Sequence, residues 1–194
     1  MSFDERLAFV TRALAAAGRE AAAFEARQLV ESFNSDERLN AAVRRLLSGE
    51  PLQYILGEWE FWGLPFKVGE GVLIPQPDTE ILVERSLELI GRISSPRVLD
   101  LCSGSGCVAV SIAKERPDAG VTAVELYDRA FGFLEENIAL NGVKVSARCA
   151  DVLQKPDGFG EFDLIVSNPP YITADEMKTL PAEVLREPHE ALLG

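Results

Sequence analysis

The sequence predicts an α/β protein: a doubly wound parallel sheet preceded by a small helical bundle and a linking β-hairpin. Three observations carry this prediction. Up to about residue 50, apolar residues recur only at helical spacing. From Arg97 onward, short apolar runs alternate with helix-period segments, the pattern of right-handed crossovers in a parallel sheet. A glycine-rich turn, Cys102-Ser103-Gly104-Ser105-Gly106, joins the first of those runs to the helix after it.

Taken in order, Ser2 and Glu5 form a capping box, and Phe3, Leu7, Val10 and Leu14 line one face of a first helix that Gly18 ends. A second helix is expected from Glu20 to Phe33, and a third from Asp36 to Leu47 with its stop at Gly49. Pro51 to Gly57, and then Trp59, Phe61, Phe66 and Val68 around Gly63-Leu64-Pro65, read as a β-hairpin. Gly71 to Glu80 is loop-like with two prolines, and Ile81, Leu82, Arg85 and Leu89 mark a further helix. The sheet then needs strands at Val98–Leu101, Val121–Val124, Val143–Ala147 and Phe162–Val166. Helices are expected at Val108–Lys114 and around Phe131, Leu134 and Ile138, the latter closed by Asn141-Gly142.

Composition narrows the function. The 194 residues carry a net charge of −12, spread along the chain, and show no Lys/Arg cluster beyond Arg44-Arg45. A protein that grips phosphates over a broad face needs a basic one, so a protein or small-molecule substrate is favoured over direct nucleic-acid binding. Cys102, Cys107 and Cys149 form no CxxC pair and His189 is the single histidine, so no metal site or disulfide framework is indicated; small buried thiols are expected. No apolar stretch is long enough to span a bilayer and the amino terminus lacks a secretion signal, so a cytoplasmic location is expected.

The residues with chemistry to offer fall at the carboxyl ends of the expected strands: Asp100, Glu125, Asp151 and Asn168. That is where open α/β sheets bind ligands. The glycine loop Cys102–Gly106 lets backbone approach a ligand closely, and Glu125 lies at the distance in sequence at which an acid holds ribose hydroxyls, so a nicotinamide dinucleotide satisfies the pattern too. Asp100 separates a dinucleotide from a cationic ligand, because a carboxylate beside the loop repels a diphosphate and attracts an ammonium or sulfonium. Taken alone Asp100 equally fits a loop cap. Together with Asn168-Pro169-Pro170-Tyr171 it favours S-adenosylmethionine, with ribose at Glu125, adenine near Asp151 and Val152, and the methyl pointing toward Asn168. The two prolines hold the tetrapeptide extended. The Asn168 side-chain oxygen and the Pro169 carbonyl can each accept a hydrogen from one planar NH2 group, and Tyr171 can lie on its face.

These residues carry a family resemblance. Pro51-x-Gln53-Tyr54-Ile55-x-Gly57, Ile74-Pro75-Gln76-Pro77-Asp78-Thr79-Glu80, the Asp100–Gly106 run, Ser167-Asn168-Pro169-Pro170-Tyr171 and Glu187-Pro188-x-Glu190-Ala191-Leu192 resemble the protein-(glutamine-N5) methyltransferases of the HemK/PrmC family. The resemblance implies a Rossmann-like methyltransferase domain over 78–194, a linker with the hairpin over 51–77 and a substrate-docking helical domain over 1–50. It implies methylation of the glutamine in the Gly-Gly-Gln motif of class 1 peptide-chain release factors; a monomer is expected. The cofactor contacts it implies are Cys102, Ser103, Gly104, Ser105, Gly106, Glu125, Val152 and Asn168, with Asn168 to Tyr171 as the glutamine clamp.

Three departures stand out. Gln76 replaces an arginine, Cys102 replaces a glycine and is strained if its φ is positive, and the chain stops at Gly194 where family members continue with more strands. The domain is therefore expected to be incomplete, with weak cofactor binding and poor turnover. Two rival functions remain: an amino-group methyltransferase acting on nucleic acid, adenine N6-type, and a catalytically weak cofactor-binding fragment.

Overall fold

In the computed structural model, which describes residues 1–154, 160–181 and 183–194, the first helix starts as its capping box dictates. The Glu5 amide donates to Ser2 Oγ at 3.3 Å and the Ser2 amide to Glu5 Oε2 at 2.7 Å. Helix α1 (Phe3–Ala16) buries Val10 and Leu14, and Gly18 leaves it at φ 81°. Helix α2 spans Ala22–Ser32, and α3 spans Asp36–Leu47 with Ser35 accepting the Arg38 amide at its start. Pro51 to Gly57, grouped with the hairpin on sequence, instead forms a one-turn helix α4 (Leu52–Leu56). Gly57 at φ 74° closes it, and Leu52 and Ile55 drop into the core of the bundle.

The described chain divides into two units: Met1–Gly57 with Pro181–Arg186, and Glu58–Leu180 with Glu187–Gly194. In the first, Leu14, Leu29 and Leu46 are fully buried. Arg19 forks onto the buried carboxylate of Glu25 and reaches Glu183 at 2.6 Å, while Arg186 donates to the Ser48 carbonyl at 3.3 Å. Glu183 and Arg186 are thus pinned to the helices.

The second unit opens with the antiparallel hairpin β1 (Glu58–Phe61) and β2 (Leu64–Lys67). Its two-residue turn is Trp62-Gly63, both with positive φ (55° and 66°), one step earlier than the Gly63-Leu64-Pro65 signal; Leu64 and Pro65 already lie in β2. The bulky left-handed Trp62 is held by Glu80, which accepts its amide at 2.8 Å, and by Glu115, which accepts its indole N–H at 3.1 Å. Phe61 and Phe66 stack edge-to-face at 6.0 Å and join the core of the sheet.

Helix α5 (Glu80–Ile90) leads to the sheet: β3 (Arg97–Leu101), α6 (Cys107–Glu115), β4 (Gly120–Glu125), α7 (Asp128–Asn141), β5 (Val145–Cys149) and β6 (Leu164–Ser167). The strands are parallel in the order β5-β4-β3-β6, so the winding reverses between β3 and β6. A short helix α8 (His189–Leu192) follows. Strand β5 begins two residues later than expected because the Val143 amide is spent on the Ile138 carbonyl, closing α7. Strand β6 likewise starts at Leu164, after Asp163 has exchanged bonds with Arg97.

Helix α7 carries two buried asparagines that the apolar spacing hides. Asn137 accepts the Lys67 amide at 2.6 Å and donates to the Lys67 carbonyl and, at 2.9 Å, to the Ser105 carbonyl of the glycine loop. Asn141, one turn on, donates to the Pro65 carbonyl at 2.9 Å. Together they satisfy the outer edge of β2 as a neighbouring strand would and tie the hairpin to the loop. The thiols are not alike: Cys107 is buried and Cys102 half-buried, but Cys149 is exposed on the edge strand β5, contrary to the expectation of three buried thiols.

Candidate active site

The reversal between β3 and β6 opens a cavity of ≈ 600 Å³ at the carboxyl ends of the strands. Glu125, Asp151 and Val152 line one part of it, and Asn168, Pro169 and Pro170 another; Cys102 also lines it. A second, small cavity of ≈ 40 Å³ is lined by Asp100, Ser103, Ser105 and Thr79, and shares Cys102 and Asn168 with the larger one.

The loop after β3 is shaped by its own bonds. The Ser103 hydroxyl donates to the Asp100 carbonyl at 2.9 Å and accepts the Val124 amide at 3.1 Å, stapling β3 to β4. The Gly104 amide donates to Glu125 Oε2 at 2.8 Å, and the Leu126 and Tyr127 amides to Oε1. Glu125 therefore serves the loop as well as facing the cavity. Gly106, at φ 80°, has its α-carbon packed so tightly on Leu134 that any Cβ would collide with it. Gly104 and Gly106 shape the loop and line neither of these two cavities. Asp151 accepts from the Leu153 amide and the Gln154 side chain, each at 2.9 Å, which builds the short turn at Val152.

Cys102 adopts φ 56°, the left-handed region that its place in a glycine position requires. Burial and the nearby Glu125 push its thiol up, and burial beside Asp100 pushes Cys107 up to about 12, so neither is a thiolate nucleophile at neutral pH.

Asp100 is the electrostatic anomaly. It is 2% exposed, and its Oδ2 has no hydrogen-bond partner among the described residues. Burial, with a smaller contribution from the Glu125 charge, pushes its carboxyl up to about 7 against the opposing bonds from Ser103 and the Ala109 amide. An orphaned carboxylate oxygen at the wall of a small cavity suits a ligand cation that would neutralise it.

At the other end, Asn168 Nδ2 donates to Thr79 Oγ1 at 3.3 Å. The structure does not bring Tyr171 to the cavity wall: it is 74% exposed, because the chain turns at Ile172 to pair with the carboxyl-terminal segment. The Ile172 amide bonds the Leu192 carbonyl, and the Gly194 amide bonds Ile172, which seats the Gly194 α-carbon against the Pro170 carbonyl. Glu187 is buried and accepts the Ile74 amide at 2.9 Å, anchoring the loop that carries Thr79; burial pushes its carboxyl up. Leu73, which lines both cavities, Thr79 and Glu187 were not singled out as site residues from the sequence. Both Thr79 and Glu187 lie in segments that carry the family resemblance, which was the signal for them.

Comparison with known proteins supplies a family. The family described as the methyltransferase small domain matches residues 77–193. The chain is 47% identical over 152 residues to a release factor glutamine methyltransferase of Fusobacterium nucleatum, covering 77% of this chain and 43% of that one. It is 45% identical over 152 residues to one from Flavobacterium psychrophilum (76% and 53%), and 42% identical over 159 residues to one from Thermodesulfovibrio yellowstonii (80% and 57%). It spans about half the length of these curated relatives. Among solved structures, a T. thermophilus 16S rRNA N2 methyltransferase (RsmC) in complex with AdoMet and guanosine superposes with a TM-score of 0.52 at 27% identity, covering 60% of this chain and 33% of that chain.

Proposed function

The chain belongs to the methyltransferase small domain family, and from that premise we propose that it transfers a methyl group from S-adenosylmethionine to the side-chain amide nitrogen of the glutamine in the Gly-Gly-Gln motif of a class 1 release factor. The observation that carries this reading is the pairing of two features at the end of one sheet. One is a large cavity with acids toward one side and Asn168-Pro169-Pro170 toward the other; the other is the orphaned Asp100 carboxylate beside it. S-adenosylmethionine, when bound, supplies an electrophilic methyl on a sulfonium and an ammonium group of its own. Asp100, Glu125, Asp151, Val152 and the loop from Cys102 to Gly106 would hold it.

An amide nitrogen is a poor nucleophile because its lone pair is delocalised into the carbonyl. Asn168 Oδ1 and the Pro169 carbonyl would accept its two hydrogens, returning electron density to nitrogen and fixing the direction of its lone pair. Positioning of this kind contributes up to about 7–11 kcal/mol of barrier reduction, so no general base is needed before transfer. One amide proton would pass to solvent after the transfer. The net charge of −12 weighs for a protein substrate, although the same clamp would hold an exocyclic base amine.

Incubation with labelled S-adenosylmethionine and, separately, release factor, DNA or RNA, read by mass spectrometry at the glutamine, tests the proposal. Methyl found only on nucleic acid, or on nothing, would reject it.

A further inference from the structure

We infer that Thr79 is a positioning residue for the methyl transfer, supplying the acceptor that keeps the Asn168 carboxamide turned with its oxygen toward the larger cavity; this rests on the transfer to nitrogen proposed above. Thr79 occupies the N-cap of α5, where a threonine hydroxyl ordinarily accepts an amide of the helix's own first turn. Here it makes no such bond. It accepts instead from Asn168 Nδ2 at 3.3 Å, from 89 residues away in sequence.

The geometry gives this bond a direction. Thr79 lines only the small cavity, whereas Asn168 lines both. The carboxamide is planar, so turning Nδ2 to Thr79 sends Oδ1 the other way, toward the space where a substrate NH2 would lie. Reversed, the group would present its own N–H bonds to that NH2, donor against donor. A hydroxyl tolerates either orientation, but in the productive one it offers the in-turned amide nitrogen a partner. Without it, Nδ2 faces a methyl group and the carboxamide turns to seek water in the cavity. The loop carrying Thr79 is itself fixed, since Glu187 holds the Ile74 amide and the Gln76 side chain donates to the Ile74 carbonyl at 3.1 Å.

The test compares wild type, Thr79→Val and Thr79→Ser in methylation of release factor, with donor affinity measured by calorimetry and an NMR readout of the carboxamide itself. Thr79→Val keeps the shape and removes the acceptor; its kcat should fall about tenfold while donor affinity stays within about twofold. Thr79→Ser keeps the hydroxyl and should restore kcat to within about threefold. In isotope-labelled wild-type protein, the Asn168 side-chain NH2 pair, assigned by its loss in Asn168→Ala, should show a cross-peak to Thr79 Hβ. The inference is overturned if Thr79→Val keeps wild-type kcat, if its kcat falls only in step with donor affinity, or if the cross-peak is absent. Should wild type show the cross-peak but methylate nothing, the proposed reaction fails while the carboxamide's placement stands.

Discussion

Replacing Asp100 with asparagine should change how the stability of this protein depends on pH, and by an amount the structure sets. The folded carboxyl sits at about 7 against an ordinary value of 3.8, chiefly because it is buried. Below both values neither state is charged and the group is neutral toward folding. As pH rises past 3.8 the unfolded chain releases its proton while the folded one retains it until about 7, so stability falls through that window. At about 1.4 kcal/mol per pH unit, the loss between pH 5 and 8 is about 3 kcal/mol. Asp100→Asn removes this dependence, so urea unfolding of the two proteins at pH 5, 6, 7 and 8 should give a stability difference that shifts by that amount in favour of the variant. The donor supplies a second arm: a cation placed beside Oδ2 binds better as the carboxyl ionises, so wild-type affinity should rise with pH toward 7. The variant should bind weakly and without that slope. Parallel stability profiles for the two proteins would refute the assignment of a buried, unpaired acid at this position.

Other substitutions probe the same framework. Cys102→Gly relieves a left-handed φ of 56°; allowing for the greater freedom of glycine in the unfolded chain, it should stabilise by up to about 1 kcal/mol, seen as a rise of about 2–4 °C in melting temperature. Asn168→Ala should cost on the order of 10²–10³ in turnover while leaving donor affinity within a few-fold in calorimetry, since it removes one preorganised acceptor. Asn137→Leu leaves the Lys67 amide and the Lys67 and Ser105 carbonyls without this partner; urea unfolding should register a loss of about 2–4 kcal/mol, well above that of Asn141→Leu.

How much of this was legible in the sequence depends on the range of the interaction. Short-range signals were read well: α3 falls where its periodicity put it, the Ser2–Glu5 box forms, and the parallel sheet follows from the alternation of runs. The strain at Cys102 was also foreseeable, because a residue in a glycine position of a tight loop has few conformations open to it. The starts of β5 and β6 were misplaced because hydrophobicity continues across residues whose amides are already committed elsewhere. Pro51–Gly57 looked extended, yet the fixed φ of Pro51 starts a helix as readily as a strand, and burial of Leu52 and Ile55 decided the matter. Asn137, Thr79 and Glu187 act across 70 to 113 residues of sequence, and a single chain carries no local trace of such partnerships. Tyr171 follows the prolines but turns outward because Ile172 is claimed by Leu192 and Gly194.

The return of residues 181–186 to the helical bundle bears on the order in which this chain can assemble. The bundle's helices precede the sheet in the chain, yet Arg19 must wait for Glu183, and the Ser48 carbonyl for Arg186, until the strands between them have been made. Unit one is therefore begun before the sheet is made and completed only after it. A protein cut after Gly57 would carry a charge pair short of its third member, and would not be a fair stand-in for the intact bundle.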